Sequence, residues 1–407
     1  MSDDDNVVNA FRDAQAADEA KRREIDNQKP ERERKPRSLG VVDSPVSLMD
    51  AAIRDDGEDP VDDASWIDNP SEVGWRGFLN RLGFSLAPAK EERAVRLAKQ
   101  KDIDHIKELN AFLQSPARKT ANNSPFITVF SEKGGVGKTT TSALLALAFA
   151  RLGNKHVAIC EVNPDRGTLG LKMGTSEQKN VFHMIQAIKK GEFYGDNRRS
   201  PKEFMPKTKD FDINVLSGNT NYGTQRYDSS GEDVVHVAQV VAPFWDVTIL
   251  DNGTSLADKG GGWDKKSPVL GSLAVSRSLV LVASSDSSES EKFINNTLSF
   301  LEEKARSAKD YSYRKSWENL RNNVTLVIVD KEQSERRTVR SPEGYPVTGT
   351  KGALETYQRF QLGKKVKNTH IIPYDPALAI SPIPFNQLRP ETLRAVREMA
   401  VSAWRNC

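Results

Sequence analysis

Cysteine is nearly absent: the 407-residue chain has two, Cys160 and Cys407. Two thiols do not complete a structural zinc site or an iron–sulfur cage, and they do not form the disulfide framework of a small secreted domain. Metal-cluster chemistry is therefore excluded unless two chains share ligands. Long apolar runs are missing too. No stretch approaches the roughly 18 consecutive apolar residues that read as a membrane span. The opening residues MSDDDNVVNAF lack both the basic and the apolar region of a secretory signal. A cytosolic protein is expected. With 37% hydrophobic and 28% charged residues the composition sits on the polar side of a globular chain, which points to some disordered segment.

What is present is unevenly charged. The net charge is only +3, yet residues 1–70 hold 19 acidic against 10 basic side chains, leaving −9 there and +12 on the remainder. An acidic tail before a basic body suggests a polyanion or an acidic partner for the body, with the tail solvated or folded back as a competitor. Runs such as EAKRREIDNQKPERERKPR within 1–70 bury too little apolar surface to offset chain entropy, so this segment is expected to be disordered.

Between 71 and 114 the spacing turns helical. Trp75, Phe78, Leu79 and Leu82 fall at i, i+3, i+4 and i+7, and Val95, Ala98, Ile103, Ile106, Leu109 and Leu113 recur among charges, predicting an amphipathic helical segment. Its apolar side needs a surface, either the chain's own main domain or a protein partner. Residues 115–125, rich in Ser, Pro and Asn, read as a linker. From 126 to 407, apolar strands alternate with helices: FITVF, HVAIC, INVL, DVTIL, SLVLVAS, VTLVIV and HIIP, with helices near 139–152, 181–188, 234–241, 289–306 and 390–405. Strands apolar throughout and separated by helices predict an α/β fold, a doubly wound, mostly parallel sheet covered on both faces.

FITVF runs directly into Lys133-Gly134-Gly135-Val136-Gly137-Lys138-Thr139-Thr140 and then a helix rich in Ala and Leu. This is the context of a phosphate cradle. Glycines let backbone N–H groups converge on phosphate oxygens, the helix N-terminus adds its positive end, Lys138 neutralises the phosphates, and Thr139 ligates Mg²⁺. The expected ligand is a nucleoside triphosphate.

KGGVGKTT departs from the ordinary phosphate-loop pattern by a lysine immediately after the position of the first glycine, and it resembles the deviant Walker A motif of the ParA/MinD family of ATPases. The resemblance covers roughly 124–405 and implies a P-loop fold, ATP as nucleotide, Mg²⁺ as metal and an ATP-dependent, nucleotide-sandwich homodimer. It also implies that Lys133 reaches across that dimer to the phosphates of the opposite subunit, as an arginine finger does. Glu161, Asn163 and Asp165 occupy the family's first switch segment, where Glu161 stands for a magnesium-associated aspartate and Asn163 for the aspartate that orients water. Asn accepts no proton, so hydrolysis is expected to be slow, or Asp165 takes over the role. Asp251, after FWDVTIL, resembles the Walker B aspartate. Pro373 and Asp375 resemble the family's late segment beside adenine. Where the family commonly places an Asn near the base, this chain has Asp330-Lys331.

The N-terminal pattern, with Gly74, Trp75, Arg76, Leu79, Leu82, Gly83 and Pro88 before a charged helix, resembles the ParA-like ATPases associated with type VII secretion in actinobacteria. That implies a regulated protein partner. The alternatives are a DNA-partition ATPase and a nucleotide-binding pseudo-ATPase scaffold. For the former, the basic clusters Arg198, Arg199, Lys202, Lys207 and Lys209, then Arg336, Arg337 and Arg340, then Lys364, Lys365 and Lys367 would contact DNA non-specifically. Leu393, Val396, Met399, Ala400 and Trp404 near the C-terminus suit packing on the sheet, which argues against a membrane-binding helix there.

Overall fold

A computed structural model describes residues 67–71, 74–82, 85–117, 124–131, 133–162, 167–175, 179–194, 198–218, 229–253, 267–285, 288–362, 365–405 and 407. The acidic tail to residue 66, Glu132, Asn163, Asp165 and Lys364 lie outside them. Seven parallel strands form one sheet: β1 (Phe126–Phe130), β2 (Val157–Glu161), β3 (Ile213–Leu216), β4 (Val247–Asp251), β5 (Ser278–Ser284), β6 (Val324–Val329) and β9 (Asn368–Ile372), in the order β3-β2-β4-β1-β5-β6-β9. All seven are the strands read from the sequence. Between β6 and β9 the chain makes an antiparallel hairpin, β7 (Arg336–Arg340) with β8 (Pro346–Thr350). The sequence reading missed it because its burial is only partial, and Arg336, Arg337 and Arg340 looked like a basic loop.

Alternation along each strand sends side chains to opposite faces. Ile127, Val129, Val157, Ile159, Val247 and Ile249 meet α3 (Lys138–Arg151) and α11 (Pro390–Trp404) in one core. On the other face, Ala158, Cys160 and Leu250 meet α5 (Val181–Lys189) and α6 (Gly231–Val241). Further along that face, Phe130, Leu279, Leu281, Leu326 and Ile328 meet residues of α7 (Pro268–Val275), α8 (Ser288–Ser307), α9 (Tyr311–Asn322) and α10 (Lys351–Leu362). Leu393, Val396, Met399, Ala400 and Trp404 are all buried on the sheet, as their spacing predicted. Cys160 and Cys407 are free and buried, and burial pushes both thiols up to about 12.

Two helices precede the sheet, α1 (Gly74–Arg81) and α2 (Lys90–Gln114). Among the described residues, the expected apolar stripe is buried in the second half of α2, where Ile106, Leu109 and Leu113 are 4%, 6% and 0% exposed. Val95 and Leu82 are instead 55% and 62% exposed; residues 67–70 cover another side of that end, their carbonyls at Ile67, Asn69 and Pro70 accepting from the Arg96 guanidinium. The second half of α2 lies along α11: Arg397 Nε donates to Asn110 Oδ1 at 3.2 Å and Arg394 Nη1 meets Asp102 Oδ1 at 3.5 Å. Ser115, at the start of the expected linker, is tied down as well, its carbonyl accepting from Lys155 Nζ at 2.7 Å and Trp404 Nε1 at 3.3 Å.

Leu113 sits in the same core as Phe149 and Trp404. Leu113→Ala is expected to destabilise the whole domain by about 2–5 kcal/mol in a single unfolding transition. Calorimetry that finds the wild-type midpoint would show that this helix does not share the domain's core.

Candidate nucleotide-binding site

The strand order reverses at β1, whose neighbours β4 and β5 lead to opposite halves of the sheet. In open parallel sheets, ligands bind in the crevice beyond the carboxyl ends of the strands at such a point. The 133–139 turn leaves β1 there. Gly135 and Gly137 adopt φ of +70° and +109°, a region that side chains with a Cβ rarely enter. At Gly137 a Cβ would also stand 3.3 Å from the methyls of Val329. Val136 is buried in the core beneath the turn, while Lys133, Gly134 and Gly135 are exposed. Gly137 caps α3, so the capping residue offers no side-chain acceptor to the first amides of this 14-residue helix. These features fit a phosphate chain: main-chain donors, a helix N-terminus and a turn that excludes larger residues.

Lys138 opens α3 and is 9% exposed, its ammonium donating to the Lys133 carbonyl at 3.1 Å. Burial holds it below the ordinary lysine range, partly opposed by Asp251. Asp251 ends β4, paired in register with Val129 of β1 and Glu161 of β2. Its Oδ1 accepts from Ser142 Oγ at 2.8 Å, and the nearby Thr139 hydroxyl favours its charged form. Burial nevertheless pushes the Asp251 carboxyl well above the usual carboxylate range. A buried carboxylate close to the hydroxyl that follows the loop lysine is a donor set of hard oxygens, which suits Mg²⁺.

Glu161 is also buried, and its surroundings are specific. Oε1 accepts from the Thr168 amide at 2.9 Å, and Oε2 from those of Gly218 at 2.9 Å and Leu169 at 3.3 Å. The carboxylate thus clasps the start of α4 (Leu169–Met173) and the chain leaving β3. Glycine is required beside it, since a Cβ on Gly167 would lie 2.1 Å from Oε2. Asp375 is occupied similarly, accepting from Ala377 N at 3.0 Å and Arg389 N at 2.8 Å; Pro373, two residues before it, is buried.

The structure therefore brings Lys133, Lys138, Thr139 and Asp251 together, with Thr140 in the first turn of α3 and Glu161 on the adjoining strand. It adds Ser142, which sequence reading passed over, and Lys331. Ser142 lies one helical turn beyond Thr139, in a TTTS run unfavourable to a helix interior unless its hydroxyls are employed.

Burial pushes the Glu161 carboxyl up from 4.5 to about 7, with the Asp251 charge adding to the shift. The folded chain holds this proton more tightly than the unfolded one. The resulting stabilisation is complete below pH 4.5 and lost as pH rises through about 7. Thermal unfolding without nucleotide should show Glu161→Gln losing that part of the pH dependence; an unchanged profile across this window would remove Glu161 as its source.

Three comparisons bear on this geometry. Residues 127–383 match the model of the CobQ/CobB/MinD/ParA nucleotide binding domain. The septum site-determining protein MinD of Thermotoga maritima is 31% identical over 128 residues, which are 31% of this chain and 43% of that protein. The chromosome-partitioning ATPase Soj of Thermus thermophilus is 40% identical over 60 residues, 15% of this chain and 23% of Soj. The chain thus spans less than half the length of these curated relatives. Among solved structures, a ParA family ATPase from Chlorobium tepidum superposes with a TM-score of 0.46 at 14% identity, over 69% of this chain and 98% of that one. With its phosphate turn at the head of a seven-stranded parallel sheet and the family model matching 127–383, the chain belongs to the CobQ/CobB/MinD/ParA nucleotide-binding domain family.

Proposed function

We propose that the chain is an ATPase switch that binds Mg-ATP, dimerises face to face through the nucleotide, and changes its affinity for a protein partner between ATP and ADP states. The observation that carries this reading is Asp251, buried at the carboxyl end of β4, hydrogen-bonded to Ser142 of α3 and close to Thr139 and the ammonium of Lys138. In this assignment the amides of Gly134 to Thr140 and the Lys138 ammonium hold the phosphates, and Thr139 with Asp251 holds the metal. Magnesium supplies charge neutralisation at the phosphates. Glu161 spends both oxygens on amides, so we give it the positioning of the switch segment rather than direct ligation. Asn163 and Asp165 keep the water-orienting role that the family resemblance implies, with turnover slow or stimulated by a partner. Pro373 and Asp375 shape the base end of the cleft.

Exposure of Lys133 supports its reach into a second subunit, where a cation in trans would stabilise the charge of the transferring phosphoryl group. The protein-partner reading, in a type VII secretion-like system, is supported by the resemblance of the 71–114 segment and by the pairing of its chief rival's basic side chains. Arg199 lies between Glu192 and Glu203, at 2.7 Å from each, and Lys207 meets Asp212 at 2.9 Å. Cations already matched to carboxylates have less to give DNA phosphates.

Lys138→Ala should weaken Mg-ATP binding by about a hundredfold, in line with losing a buried charged ligand of the phosphates. Lys133→Ala should keep the wild-type affinity in titration calorimetry but stay monomeric with ATP in sedimentation. Dimerisation of Lys133→Ala at the wild-type ATP concentration would remove the in-trans role. Salt-sensitive, ATP-dependent retention of random-sequence DNA by the wild-type chain would favour partition instead.

A further inference from the structure

Strand β6 leaves the sheet against the phosphate turn, with Val329 filling the space beside Gly137. The next residue, Asp330, is 2% exposed and heavily bonded. Its carboxylate accepts from the Thr350 amide at 2.7 Å, the Thr350 hydroxyl at 3.0 Å and Ser285 Oγ at 3.4 Å, and its own amide donates to the Ile372 carbonyl at 2.9 Å. The main chain at this point is therefore fixed from both sides. Lys331 follows, exposed, and its ammonium donates to the carbonyl of Gly135 inside the phosphate turn.

Two ammonium groups thus converge on one short turn, each resting on a neutral main-chain oxygen: Lys138 on Lys133 and Lys331 on Gly135. Their charges repel, and Lys331 contributes, after burial, to keeping Lys138 below the ordinary ammonium range. A bond from an ammonium to an anionic phosphate oxygen adds the attraction of opposite charges, which a neutral carbonyl does not offer. Since Asp330 already holds the backbone, rotation of the Lys331 stem is the only motion required to exchange one for the other.

We propose that Lys331 is a phosphate ligand of the nucleotide in its own subunit, leaving the Gly135 carbonyl for a phosphate oxygen when a nucleoside polyphosphate binds. This rests on the nucleotide-binding reading above. It places a third cation at the phosphates, supplied in cis from β6, distinct from Lys138 of the turn and from Lys133 directed at the opposite subunit. Its contribution then follows phosphate charge, not the base, and is screened by salt.

Titration of ATP, ADP and AMP into the full chain, Lys331→Met and Lys331→Arg, at low and high salt, tests this. Lys331→Met should unfold at the wild-type temperature and lose about tenfold in ATP affinity, the size of one charge-assisted hydrogen bond. It should lose less for ADP, nothing for AMP, and show a shallower salt dependence; Lys331→Arg should restore most of the ATP affinity. Wild-type ATP affinity in Lys331→Met, or an equal loss for AMP, overturns the inference. If Lys138→Ala loses ATP while Lys331→Met keeps it, the nucleotide reading stands and this inference alone falls. If the unaltered chain takes up no ATP, both fall.

Discussion

The carboxylate of Asp251 is the constraint around which the rest of the site is arranged. A charge at the buried end of a parallel strand costs several kcal/mol unless it is matched. Here the match comes from one side, the start of α3, which supplies the Ser142 hydroxyl, the nearby Thr139 hydroxyl and the ammonium of Lys138. Those partners lie within the first turn and a half of α3, so the direction in which α3 leaves the phosphate turn is set by the need to bring them to β4. The positive φ of Gly137 makes that direction available. The chemistry of the site and the packing of the first β-α unit are then one problem with one solution.

The second carboxylate follows different logic. Glu161 is the register partner of Asp251 one strand away, and two like charges there raise each other's cost. An aspartate at 161 would be one methylene shorter. The glutamate reaches back to three main-chain amides, across the glycines at 167 and 218 that leave it room. The longer side chain is accommodated by these two glycines. It ties β2, the start of α4 and the exit of β3 into one corner beside the 133–139 turn.

Much of this was legible in the sequence, for reasons that also explain what was not. The seven core strands announced themselves because a strand buried on both faces must be apolar throughout, and FITVF or SLVLVAS allows few other readings. The phosphate turn was legible because glycine spacing is dictated by backbone geometry rather than by packing. Helix α9, by contrast, reads YSYRKSWENLRN, with only Trp317 and Leu320 fully buried, so its signal drowns in exposed polar residues. The contact of Lys331 with Gly135 joins residues 196 apart in the chain, and no local pattern encodes a pairing at that distance. The sequence marked the position as unusual; it did not say what the side chain touches.

The sheet's two edges bear on how copies of the chain meet. An unpaired edge strand invites pairing with another chain. At one edge, Lys207 bridges to Asn214 of β3, whose side chain is held by the Met205 carbonyl and Trp245 Nε1. At the other, β8 comes so close to β9 that a Cβ on Gly349 would lie 3.2 Å from Ile371, while α10 and α11 pack on the same strand. Local chain therefore occupies both edges, and extension of the sheet into a second subunit is disfavoured. The carboxyl ends of the central strands, where Lys133 is exposed beside the phosphate turn, are left free of that competition. The face-to-face dimer proposed above would then need no device to suppress edge pairing, and its formation would depend on the charge at the turn.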